Sequence, residues 1–142
     1  MEVSEVRRRL RTAIEKAKHA AAERRSRNDA AARDYAVFLA ERANPVFHQF
    51  ATALSGEGHR FNVFTPAGSI RLSADRAPQE FIELALDDSS DPPAVLGRTS
   101  RGRGRRMVSS ERAIGGGAPV ADLTEEDVLT FLLEEIVPFV EK

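Results

Sequence analysis

The chain has 142 residues, of which 42% are hydrophobic and 30% charged, and its formal net charge is −1. This mix suits one ordinary folded domain and argues against wholesale disorder, while no apolar run approaches the ~18 residues of a membrane span and the absence of cysteine removes disulfides, thiolate nucleophiles and cysteine metal sites. The near-zero charge conceals segregation by block: residues 1–44 carry +4, 45–93 carry −4, 94–121 carry +5 and 122–142 carry −6.

The N-terminus has charges but no apolar stretch behind them, so it does not read as a secretory leader. Together with the lack of cysteine this makes the cytoplasm the expected location. The first 43 residues contain neither proline nor glycine. Within them Leu10, Ile14, Ala17, Ala21, Arg24, Asn28, Ala31, Tyr35 and Phe38 follow one another in steps of four and three. That spacing averages 3.5 residues and lines one face of a continuous helix, the pattern of a coiled-coil seam. A helix from Glu2 to Ala43 would be ~63 Å long. A compact domain of this size has a radius of gyration of only ~14–15 Å, so part of the rod should overhang. The polar run Ser26-Arg27-Asn28-Asp29 weakens the middle, but nothing there breaks a helix. Asn44-Pro45 is expected to end or kink the rod, because proline pushes the residue before it out of helical geometry. A short helix should follow over Pro45–Leu54, burying Phe47, Phe50, Ala51 and Leu54, with Ser55-Gly56-Glu57-Gly58 closing it.

From His59 the period changes to two. Phe61, Val63 and Thr65 alternate with Arg60, Asn62 and Phe64, Pro66-Ala67-Gly68 turns the chain, and Ile70, Leu72 and Ala74 alternate again, which reads as a hairpin. Ile82, Leu84 and Leu86 give a third strand. Residues 87–93 are rich in Asp, Ser and Pro and form a loop. Ala94–Ser100 and Arg105–Ile114 read as strands four and five, with 101–104 as the tip between them. Strands so close in sequence should form an antiparallel meander. Gly115-Gly116-Gly117-Ala118-Pro119 reads as a flexible connector. Thr124, with Asp127 three residues on, caps a last helix whose apolar face is Val128, Leu129, Leu132, Leu133, Ile136, Val137 and Val140. Pro138 should end or bend it.

The residues offer little for catalysis. His19, His48 and His59 are not at metal-ligand spacing, and no HExxH, nucleophile elbow or phosphate-binding glycine loop is present. No catalytic residue, metal or cofactor is expected. One constellation stands out: Arg98, Arg101, Arg103, Arg105 and Arg106, interleaved with Gly102 and Gly104. The planar guanidinium suits phosphate or carboxylate recognition. The cluster reads in three ways: as a solvated loop, as an anion or nucleic-acid backbone site, or as a mate for the acidic final helix through Glu134, Glu135 or Glu141. The lack of an aromatic residue between Arg98 and Arg106 argues against stacking on single strands.

The expected fold is α+β: a long helical arm over 1–44, then a globular domain over 45–142. The latter comprises a short helix, a five-stranded antiparallel meander and a C-terminal helix packed on the sheet. The expected function is that of a non-enzymatic assembly or adaptor protein, which self-associates or joins a larger complex through the seam Leu10, Ile14, Ala17, Ala21, Ala31, Tyr35 and Phe38. The alternative is nucleic-acid backbone binding by the arginine-rich hairpin 98–106. No membrane partner is expected.

Overall fold

In the computed structural model, which describes residues 1–141, the first helix α1 runs without interruption over Val3–Phe38. The polar run at 26–29 stays helical, as the absence of glycine and proline allows. At 1.5 Å per residue α1 is ~54 Å long. The expected end of the rod at Asn44-Pro45 does not occur. A single π-helical turn, Leu39–Ala43, leads directly into α2, Asn44–Gly56. Asn44 keeps a helical φ of −58° and ψ of −49°, and its N–H donates to the carbonyl of Leu39, five residues back. Proline lacks an N–H and its ring crowds the carbonyl four residues earlier. One widened turn just ahead of Pro45 accommodates both defects, so the helical path continues through it.

The sheet is the meander read from the sequence: β1 Phe61–Phe64, β2 Ser69–Ala74, β3 Phe81–Asp87, β4 Ala94–Arg103 and β5 Arg106–Ala113, each antiparallel to the next. The register is one-to-one, so alternation assigns each side chain to a face. Ile70, Leu84, Gly97 and Arg112 stand in one row, beside a row of Val63, Leu72, Ile82, Thr99 and Ser110. Helices cover this side, α2 over β1 and β2, and α3 (Glu125–Val140) over β3 and β4. The two-residue alternation buries Ile70, Leu72, Ile82, Leu84 and Val95 against Phe38, Phe47, Phe50, Val128, Phe131 and Leu132. Phe131 was not anticipated as core. Its ring lies against the backbone of Gly97, where any Cβ would overlap it. Glycine therefore belongs at this strand position for close approach.

One feature of α3 differs from expectation. Leu133 and Val137 are 53% and 49% exposed, because the buried arc is centred on Val128, Phe131, Leu132 and Ile136. Pro138 lies inside the last turn and the helix continues to Val140. The start is as read: the Thr124 hydroxyl accepts from the Asp127 N–H at 3.2 Å, and the Asp127 carboxylate accepts from the Thr124 N–H at 2.9 Å. The glycines of the 115–117 connector all take a positive φ, so the connector is a tight left-handed turn.

The C-terminal part of α1 belongs to the core. Tyr35 and Phe38 are buried, with their rings stacked at 6.3 Å. The Tyr35 hydroxyl donates to the Gly68 carbonyl at 2.8 Å and also lies 3.4 Å from the carbonyl of Leu84. Burial, with the nearby Glu83 carboxylate adding to it, holds the phenol well above the ordinary tyrosine range.

Two outcomes follow from this packing. Leu132→Ala should cost ~2–5 kcal/mol by denaturant unfolding, whereas Leu133→Ala, on the exposed arc, should change stability by only ~0.5 kcal/mol or less. Tyr35 is the chain's one tyrosine, so tyrosinate absorbance reports on it alone. Its folded pKa is raised, so the stabilisation it carries is complete below the unfolded pKa of about 10 and is lost as the pH rises above it. Alkaline titration should show no tyrosinate while the protein stays folded, and its appearance should coincide with loss of helical circular dichroism.

Candidate functional site

The arginines of 98–106 do not form one cluster, because strand alternation divides them. Arg98 stands on the face away from the helices, where Phe64, Arg71, Glu83, Arg98 and Glu111 form a single row across all five strands. Charges alternate along that row. Arg71 and Glu83 pair at 2.6 Å, with the Glu83 side chain only 7% exposed, and the Arg71 guanidinium lies 3.9 Å above the Phe81 ring. Arg98 Nε meets Glu111 at 2.8 Å. Opposite charges directly across strands stabilise a sheet, so Arg98 is engaged in the fold. At the far end of β3 the Asp87 carboxyl is held below its ordinary range, first by hydrogen bonds from Ser89, with Arg98 adding a smaller pull.

The other four arginines stand apart from it. Arg101, Arg103 and Arg106 fall on the helix-covered side of the sheet, but beyond the reach of the helices. Arg105 sits in the turn. The expected tip of 101–104 is shorter than read: the strands continue to Arg103 and resume at Arg106, leaving a two-residue turn, Gly104-Arg105. Gly104 has a φ of +63°, which glycine adopts without the steric cost that a Cβ would bring. Arg103 and Arg106 are direct cross-strand partners. Among the described residues none of these four makes an ion pair.

The acidic final helix does receive an arginine, but from outside the predicted set. Arg112 pairs with Glu134 at 2.6 Å and Glu135 at 2.9 Å, and its guanidinium lies 4.9 Å from the centre of the Phe131 ring. Its position opposite Gly97 places it over α3. Sequence reasoning also missed Arg60 and Arg76. Both stand at the sheet end from which the β4–β5 hairpin projects, since Arg60 precedes β1 and Arg76 follows β2. Counting alternate ends of the meander would have placed them there.

The seam residues of α1 divide as well. Tyr35 and Phe38 are core, and Ala31 is half-buried beside Pro92, Pro93, Pro119 and Val120. The helix first makes a side-chain link to the globule at Arg27, which pairs with Asp91 at 3.1 Å. Before that point Leu10 and Ile14 are 57% and 44% exposed, Ala17 is exposed and Ala21 half-buried. Exposed Val3 and Val6 extend the stripe toward the helix start, an extension that the same spacing could have revealed. Most of the other side chains in this stretch are charged or polar, with local pairs Arg9–Glu5 at 3.0 Å and His19–Glu23 at 3.0 Å.

The molecule is thus an α+β protein with two projections from opposite chemistry: an apolar-striped helix and a basic two-stranded ribbon. No helix among the described residues is long and apolar enough to cross a membrane. No group of three or more metal-ligating side chains converges among them either. No family model, curated protein or solved structure matches the chain.

Arg112 and the ribbon arginines should separate cleanly by mutation. Arg112→Ala removes two exposed ion pairs and a stacking contact and should cost about 1 kcal/mol. Changing Arg103, Arg105 and Arg106 together to alanine should leave the thermal midpoint unchanged or slightly raised, since it removes like charges facing each other. Differential scanning calorimetry checks both.

Proposed function

We propose that the protein acts by assembly rather than by catalysis, and that it self-associates through the projecting half of α1. The observation that carries this reading is the exposed stripe Val3, Val6, Leu10, Ile14 and Ala17 on a helix whose first side-chain link to its own globule is at Arg27. From Val3 to Ser26 the projection is ~36 Å. Burying each large apolar side chain of the stripe contributes ~1.5–3 kcal/mol, against the ordering costs of association.

Charge favours one seat for the stripe over the others. Residues 1–28 hold nine basic and four acidic side chains, so two such arms laid together repel. The outer surface of α3 has the complementary character. Exposed Leu133 and Val137 lie on the same 4-3 spacing as Glu126 and Thr130, and residues 122–141 hold seven acidic side chains and no basic one. A second copy of the chain therefore supplies an acidic, apolar-striped helix for the arm to lie on. If each copy lends its arm to the other's α3, the assembly closes as a two-fold dimer.

Light scattering after size exclusion should give at least twice 15.6 kDa at tens of micromolar. Leu10→Asp with Ile14→Asp should yield folded monomers, because neither side chain touches the core. Leu133→Asp with Val137→Asp should do the same, and mixing the two variants should restore a heterodimer with one intact seat. Added salt should weaken this association, whereas pairing of arm on arm would be strengthened by it. A wild-type monomer at these concentrations would overturn the proposal.

A further inference from the structure

We propose that the β4–β5 ribbon is a binding site for the phosphate backbone of duplex nucleic acid, formed by Arg101, Arg103, Arg105 and Arg106. The inference stands independently of the assembly reading. Its first ground is the register. β3 pairs with β4 only as far as Ser100, so from Arg101 onward the hairpin has two strands and stands ~10 Å beyond the sheet. On one face of that ribbon Arg103 and Arg106 are directly opposed, with Arg101 two residues away on the same face and Arg105 at the turn. Like charges directly opposed destabilise a strand pair. None of the four has a carboxylate partner among the described residues. The two nearby acids are occupied: Glu111 holds Arg98 on the other face, and the Glu80 carboxylate accepts the backbone N–H of Gly102. The fold therefore holds four guanidiniums together with a single carboxylate, Glu80, at the ribbon's base, and none of the four is in an ion pair among the described residues.

The second ground is shape. A two-stranded ribbon is narrow enough to enter the major groove, which is about 12 Å wide, and arginine engages phosphate oxygens with a planar, forked donor set. Arg60 and Arg76, at the same end of the sheet and in no ion pair among the described residues, extend the basic surface beyond the ribbon's base. No aromatic side chain stands on the ribbon, so stacking on single-stranded bases is not provided for. Small side chains and glycine between the arginines offer few groups to read base edges, so contact should be with the backbone and show little sequence preference.

Fluorescence anisotropy of the full chain with a labelled mixed-sequence DNA duplex tests this. Engagement of about four phosphates predicts a log-log salt slope near −3.6, or roughly 100-fold weaker binding at about 200 mM salt than at about 50 mM. A second duplex of unrelated sequence should bind within about twofold, and the matching single strand more weakly. Changing Arg103, Arg105 and Arg106 together to alanine should abolish binding with the melting curve preserved. Changing the same three to lysine should retain most of it, because the charge remains. Arg98→Ala, on the opposite face, should bind like the wild type. Three results would overturn the proposal: no binding at the lower salt, undiminished binding by the triple alanine variant, or displacement of the DNA by poly-glutamate at matched charge, which would assign the ribbon to an acidic protein.

Discussion

The helix α1 enters the core only through its last turns, and the rest of the molecule is arranged around that constraint. Tyr35 and Phe38 are buried, and the Tyr35 hydroxyl ties the helix to the carbonyl at the β1–β2 turn. A rod of 36 residues anchored at one end must project at the other. The π-helical turn before Pro45 carries the helical path on into α2, whose Phe47 and Phe50 join Phe38 in the core. The uncovered stripe farther along α1 is a direct consequence of where the anchor sits.

The sheet shows how the fold distributes charge. On the open face, arginine and glutamate alternate across four strands, and each arginine there has a carboxylate opposite it. On the covered face Arg112 is matched by Glu134 and Glu135 of α3. Neutralisation stops where the ribbon leaves the body. A two-stranded extension has no third strand and no helix above it, and the one acid that reaches its base, Glu80, bonds the Gly102 N–H and forms no ion pair with Arg101, Arg103 or Arg106. The same geometry that makes the ribbon protrude leaves its charge uncompensated, which is why these arginines differ from the two beside them in sequence.

Much of the architecture was legible from residue spacing. The alternation at Ile70, Leu72, Ile82 and Leu84 identified both the strands and their buried side, because a period of two has no other economical outcome. The Thr124–Asp127 cap was equally plain, since it is made from groups three residues apart. Failures came where the deciding partner is remote in sequence. Asn44-Pro45 carries a strong local signal to stop, yet packing on both sides held the helix together through a widened turn. Leu133 and Val137 look like core by their apolar character. The sheet, however, accepts only the arc centred on Phe131, whose ring needs the bare backbone of Gly97 34 positions earlier.

The long helix, the meander, the capped final helix and the separation of charge into blocks were determined by the sequence alone, because each depends on neighbours within a few residues of one another. The division of the arginines into paired and unpaired sets was decided by the tertiary structure. So was the split of the α1 seam into a buried end and an exposed one. Both turn on which strand or helix lies across from a given side chain, and that identity emerges only when distant segments close over a common core.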